Sequence, residues 1–377
     1  MNRPENSPVT MSDVARVAGV SPASVSSVIN GRSRVSQATR ERIEQAIDQL
    51  GYQINPTARM LRAGKTDAIG LVVPELNRPY FGQIATLLAD EIEAAGKHLV
   101  VQRSGGSTEQ ELAAAAFARL RMYDGVIFSV VGLDPAELAK LQFSTPVVLL
   151  GERSGKAQFD HVAMDNVGGA AGATRYLLER GARRIVLLGG AQSEGIEMSH
   201  LRTAGYAQAL TQAGIAVSPE LIVPLPMFDL EQGRAAVVAL HDAGIEFDAV
   251  FALTDVVALG ALRGLSELGL RVPQDVQVIG FDNITESAYS TPALTTVDPN
   301  KQEIARTALR LLEDRMGGAG LGRSLGLGAG EGAGAGETGL GSDTSSPGSS
   351  STRGETGLEA REVVVKCELV VRETTLP

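Results

Sequence analysis

The chain has 377 residues, 44% of them hydrophobic and 21% charged, a balance that supports two or three folded domains with full-sized cores. No run approaches the roughly 20 apolar residues that span a bilayer, and the opening MNRPENSPVT has no apolar signal region, so a cytoplasmic protein without a membrane partner is expected. A single cysteine, Cys367, excludes a disulfide framework and a cysteine-cluster metal site.

The net charge of −10 is unevenly spread: residues 1–65 carry nine Arg and Lys against five Asp and Glu, or +4, leaving −14 for the remainder. Residues 10–30, TMSDVARVAGVSPASVSSVIN, predict two short helices joined by a tight turn. Thr10 and Asp13 have capping-box spacing, and Val14, Val17 and Ala18 put an apolar stripe on the first helix. Gly19 supplies a left-handed turn, Ser21 an N-cap and Pro22 a preset first helical residue. Val25, Val28 and Ile29 repeat the stripe. The opposite face, with Pro22, Ala23, Ser24, Ser26 and Ser27, is small and hydroxyl-bearing, able to approach base edges and phosphates closely. Arg32 and Arg34 follow in a short loop. Ser36 then caps a third helix over 37–50, with Ile43, Ala46, Ile47 and Leu50 on one face and Gly51 at its end. Its Arg40 and Arg42 suit phosphate or solvent equally. Asn55 and Pro56 open a segment too short to be a stable helix alone, so its residues read as a linker or a marginal helix.

The residues Thr10, Asp13, Val14, Ala15, Ala18, Gly19, Val20, Ser21, Ser24, Val25, Ser26, Val28, Ile29 and Asn30 together resemble the DNA-binding head of the lactose-repressor (LacI) family. The resemblance implies a helix-turn-helix domain over 1–54 and a hinge helix over 55–66 that forms when two copies pack on a DNA minor groove. It assigns Thr10, Ser21, Pro22, Ala23, Ser24, Ser26, Ser27, Asn30, Arg32 and Arg34 to operator contact. Asn55, Arg59 and Arg62 fall in the hinge, and Leu61 stands where the family wedges a leucine into the central base step. A basic head on an acidic body suits a partner that is double-stranded DNA.

From Ala68 the pattern alternates Val/Ile/Leu-rich strands with helices of 10–15 residues, the signature of parallel sheets covered on both faces. Two such runs, 67–166 and 168–297, predict two similar lobes with a ligand cleft beyond the strand ends. The first lobe is expected to include 299–316 and the second 359–377, all within a ligand-binding and dimerisation body over 67–377. Residues 317–358 form a Gly/Ser-rich insert that cannot bury enough apolar surface to order itself.

The segments RTAGYAQAL, LTDVVALGALRGLSELGLRVPQDVQVIGFDN, TPALTTV and ELVVRET resemble the family's periplasmic-binding-protein-like body, an α/β fold of parallel sheets flanked by helices. The resemblance makes Tyr80, Phe81, Arg202, Phe228, Asp255 and Asp282 candidate contacts for a small-molecule effector. Arg202 would offer paired donors; each Asp also fits a helix N-cap, because both follow strands. Sugar-responsive members carry Asn-Asp where this chain has Thr254-Asp255, and Asp-Arg where it has Gly151, Glu152 and Arg153. The resemblance implies a ligand-controlled transcriptional regulator, a homodimeric repressor on a palindromic operator, answering to a sugar or alternatively to a purine corepressor. No nucleophile elbow, P-loop, nicotinamide fingerprint or zinc-protease motif occurs, and His98, His161, His200 and His241 lack ligand spacing. Neither an enzyme nor a cofactor is expected.

Overall fold

The computed structural model describes residues 9–29, 35–52, 66–118, 122–152, 158–193, 197–317 and 359–377. It forms two compact units, Met1–Thr66 and Asp67–Pro377, each considered by itself. Asn30, Arg32, Arg34, Asn55, Arg59, Leu61 and Arg62, with nearly all of the hinge and of the 317–358 run, lie outside the described residues.

The head has three helices, Met11–Ala18, Pro22–Ile29 and Gln37–Leu50. Thr10 and Asp13 form the full capping box, and Gly19 ends the first helix at φ 64°. Ser21 Oγ accepts from Ser24 N at 3.2 Å, fixing the start of the second helix. Val14, Ala15, Ala18, Val25, Val28, Ile43 and Ala46 make the core. Val17, expected inside, is 41% exposed. The third helix packs against the face of Val14, Ala15 and Ala18, so Ala15 takes the place that simple spacing gave to Val17.

The body contains two six-stranded sheets. The first, in order β11-β5-β4-β3-β1-β2, joins Glu362–Val365, Asp160–Met164, Val147–Leu150, Gly125–Ser129, Ala68–Val73 and His98–Arg103, all parallel. The second, β12-β10-β9-β8-β6-β7, joins Glu368–Val370, Thr295–Asp298, Gln277–Phe281, Ala249–Ala252, Ile185–Leu188 and Ile222–Val223, parallel except for the antiparallel β12. Central strands such as Ala68–Val73 and Gln277–Phe281 are buried along their whole length because helices cover both faces. Among the described residues no helix is long and apolar enough to cross a membrane.

The chain passes between the lobes three times. After β5 the helix Asn166–Glu179 packs in the second lobe, and after β10 the helix Lys301–Arg315 packs on the first sheet. The third passage separates β11 from β12. The expectation that 359–377 lies wholly in the second lobe is therefore corrected: Glu362–Val365 pairs with β5 as the outer strand of the first.

The two ends of the Gly/Ser-rich run meet on one buried carboxylate. Asp160 takes Arg315 Nε and Nη2 at 3.0 and 2.7 Å, and Arg361 N and Nη2 at 2.8 Å each. Burial raises its pKa, but the hydrogen bonds from Arg315 and Arg361 outweigh that and bring it down to about 2. Because the folded value is depressed, this stabilisation is present above the ordinary carboxyl range and is lost as pH falls toward 2. Asp160→Asn is expected to destabilise the body by about 2 to 3 kcal/mol, seen as a lowered Tm. Replacing 318–358 by a short linker is expected to leave Tm unchanged, since the clamp lies outside the replaced residues.

Candidate functional site

Two surfaces bear on function. On the head, Ser21, Pro22 and Ala23 are exposed and Ser24, Ser26 and Ser27 half-buried along the second helix. Thr10 Oγ1 is committed to Asp13, and Ser21 Oγ lies 3.0 Å from Ser24 Oγ, so these hydroxyls also set helix geometry. What the helix presents is small and weakly hydrogen-bonding.

In the body, Tyr80, Phe81, Arg202, Phe228 and Asp282 line one cavity between the lobes. Tyr80 and Phe81 open the helix Pro79–Ala94, where Pro79 starts the first turn, and their rings meet edge to face at 5.2 Å. Arg202 is 2% exposed. Its Nε donates to Asn166 Oδ1 at 2.7 Å, its Nη1 to the Leu253 carbonyl, and its guanidinium lies 3.4 Å from the Phe281 ring centroid. Only Nη2, 3.3 Å from Met164 Sδ and 3.8 Å from Asp282 Oδ1, is free of an oxygen acceptor at hydrogen-bond distance. Nη1 carries a second N–H, so the expected paired donation to a ligand does not require Arg202 to release Leu253.

Asp282 follows β9 at φ 117°, with Asn283 also left-handed at φ 46°. Burial pushes its carboxyl up to about 7; Arg202 opposes this and Asp255 adds to it. Burial, with Asp282 and Glu152 nearby, raises the Tyr80 hydroxyl well above its ordinary value, leaving it a neutral donor.

Asp255 is corrected. It is fully buried and does not line the cavity. Its carboxylate accepts from Ile284 N at 2.9 Å, Ser287 Oγ at 2.7 Å and Thr296 Oγ1, so it ties the 284–296 segment to the helix Asp255–Glu267. It is not the N-cap either: Thr254 Oγ1 accepts from Val257 N at 3.3 Å, and it is Thr254 that reaches the cavity.

Four further groups bear on the cavity beyond the candidate contacts named from sequence, Glu152 among them having been noted there only as a departure from sugar-responsive members. Arg78 and Glu152 line the cavity, Arg78 across the cleft with its guanidinium 5.8 Å from the Phe228 ring centroid. Glu111, fully buried, accepts from the N–H groups of Val131, Gly132 and Leu133 at 2.9 to 3.0 Å and so holds the Val131 wall. Lys301, on the helix packed against the first sheet, reaches into the second lobe and donates to the carbonyls of Asp282 and of Asn283, the latter at 2.9 Å. Burial lowers its pKa. This ammonium holds the left-handed turn that presents Asp282. Lys301→Met is expected to weaken ligand binding about tenfold by titration calorimetry, with the body still cooperatively folded. An unaltered affinity would make Lys301 a packing residue only.

Residues 10–55 match the family model for bacterial regulatory proteins of the lacI family, and residues 174–325 that for a periplasmic binding protein-like domain. The chain is 35% identical over 318 residues to the HTH-type transcriptional regulator CelR of Thermobifida fusca, covering 82% of this chain and 92% of that protein. It is 34% identical over 310 residues to the repressor PurR of Erwinia tasmaniensis, covering 81% and 90%. Among solved structures it is similar to a CelR–cellobiose complex, with TM-score 0.64 and 30% identity over 97% of this chain and 99% of that one. It is also similar to the lac repressor dimer bound to operator and the anti-inducer ONPF, with TM-score 0.75 and 26% identity over 98% and 100%. A capped helix-turn-helix head and a two-lobed body with a polar cleft account for these likenesses, and the chain belongs to the LacI family of DNA-binding, ligand-responsive transcriptional regulators.

Proposed function

We propose that this regulator is a cytoplasmic repressor that binds a near-palindromic operator as a homodimer and is controlled by a sugar in the cleft of its body. The observation that carries the ligand half is the convergence of Arg202, Asp282, Tyr80 and Phe228 on one cavity between lobes that the chain joins at three points. A ligand touching both lobes shifts their arrangement by its differential affinity for the two states. Asp282 and Glu152 suit hydroxyl donors, and the similar CelR structure holds cellobiose, which favours a sugar over a purine.

In the DNA half, Pro22, Ala23 and Ser27 face bases, while Thr10, Ser21, Ser24, Ser26, Asn30, Arg32 and Arg34 serve the backbone and the register. So little hydrogen-bonding capacity leaves specificity to apolar contact and DNA shape. Asn55, Arg59 and Arg62 complete the hinge contact around Leu61. A dimer is supported by the edge strand His98–Arg103, which leaves Val100 and Val101 about 40% exposed.

The test is a gel shift of the full chain on its own promoter region, with salt and sugars varied. Specific binding that weakens steeply with salt and changes with a sugar is expected; indifference to all DNA would reject the proposal. Leu61→Ala should lose about tenfold or more in operator affinity while the body keeps its Tm and ligand binding.

A further inference from the structure

The cleft has an inner and an outer chamber that share Arg78, Phe81, Val131, Glu152, Met198 and Phe228 in their walls. The inner one, about 100 Å³, ends on Arg202, Thr254 and Asp282. The outer one, about 280 Å³, opens among Glu75, Glu197, Ser199 and the Gly105–Gly106 backbone. Phe81 and Phe228 are the aromatic residues that line both. A single ring that satisfied the inner groups would leave the larger chamber to water.

The chambers also differ in charge. Among the described residues the outer one is lined by three carboxylates, Glu75, Glu152 and Glu197, against one guanidinium, Arg78; Glu152 and Arg78 also line the inner one. That guanidinium is already held by Glu75, with Nε 2.6 Å from Oε2. Ionised carboxylates only accept hydrogen bonds, so this wall takes a group rich in O–H donors and repels an anion. Phe81 and Phe228, common to both chambers, provide ring faces for the apolar side of a sugar.

Resting on the sugar reading above, we infer that the effector is an uncharged two-unit saccharide. One ring is held by Arg202 and Asp282 in the inner chamber. The second donates its hydroxyls to Glu75 and Glu197 in the outer one. Phosphorylated sugars are rejected by the outer carboxylates.

The test is titration calorimetry of the full chain against matched probes: glucose, cellobiose and maltose; galactose and lactose; mannose and mannobiose; glucose 6-phosphate; and adenine and guanine. One disaccharide is expected to bind about 30-fold or more tightly than its own monosaccharide, equivalent to one or two added hydrogen bonds to charged groups, and the phosphate ester not to bind. Glu75→Ala and Glu197→Ala are each expected to cut that preference several-fold. Equal affinity for a monosaccharide and every disaccharide, or an undiminished preference in both variants, overturns the two-unit proposal and leaves the sugar reading standing. Tight binding of glucose 6-phosphate overturns the charge argument and with it the proposal. Binding of a purine base with no response to any saccharide overturns the sugar reading itself, and silence from the whole panel overturns both.

Discussion

Ligand affinity is expected to rise about tenfold between pH 6 and pH 8, and Asp282→Asn is expected to abolish that rise. The carboxyl of Asp282 is pushed up to about 7 by burial, so near pH 6 most unliganded molecules carry it protonated. A ligand hydroxyl donates more strongly to the ionised carboxylate than to the neutral acid, so binding at low pH is coupled to expelling a proton. The same displacement acts on stability with the opposite sign. A carboxyl whose folded pKa is raised keeps its proton after the unfolded chain has lost it. Its contribution to stability therefore falls as pH climbs from the ordinary carboxyl range to about 7, then levels off. The Asn variant should be the more heat-resistant protein at pH 8 and the weaker binder there. The readout is the difference between wild-type and variant curves of affinity and of Tm, which cancels other groups that titrate in the window. Parallel curves would remove Asp282 from the binding site.

Ile43→Ala is expected to abolish operator binding and leave the effector titration untouched. Ile43 is fully buried among six other core side chains of the head. Truncating a buried isoleucine costs about 2 to 5 kcal/mol, and a domain of this size has little more than that to lose. The head and body are separate compact units, so two calorimetric transitions are expected in the wild type and one, the body's, in the variant. A single transition that moved as a whole would mean that the two units unfold together as one cooperative body.

The local features of the head were legible because short-range chemistry decides them. Thr10 with Asp13, Gly19 and Ser21 act within a turn of their own positions. Val17 was misplaced because the third helix, remote in sequence, chooses which face of the first is covered. The apolar strands were plain in the sequence, but the lobe of Glu362–Val365 was not: a four-residue strand signals burial without naming its sheet. At the cleft, family resemblance rather than local chemistry points to Arg202 and Asp282, and both line the cavity. Asp255 shares the same strand-then-aspartate setting and was mistaken for a ligand contact. The difference lies in the 284–296 segment, which folds back to supply three donors, a long-range event with no local trace. Glu111 and Lys301 read as ordinary helix charges, and only the tertiary fold turns them inward.

The interleaved lobes also constrain the order of events on the ribosome. Both sheets await an outer strand from residues 362–370, so neither half of the sensor is finished until those residues have been made. The head is complete some three hundred residues earlier and can fold as soon as it emerges. For tens of seconds each nascent chain thus carries a formed reading head with no finished sensor to govern it. On the proposed homodimeric reading, what restrains it in that interval is the absence of a second copy to pair with.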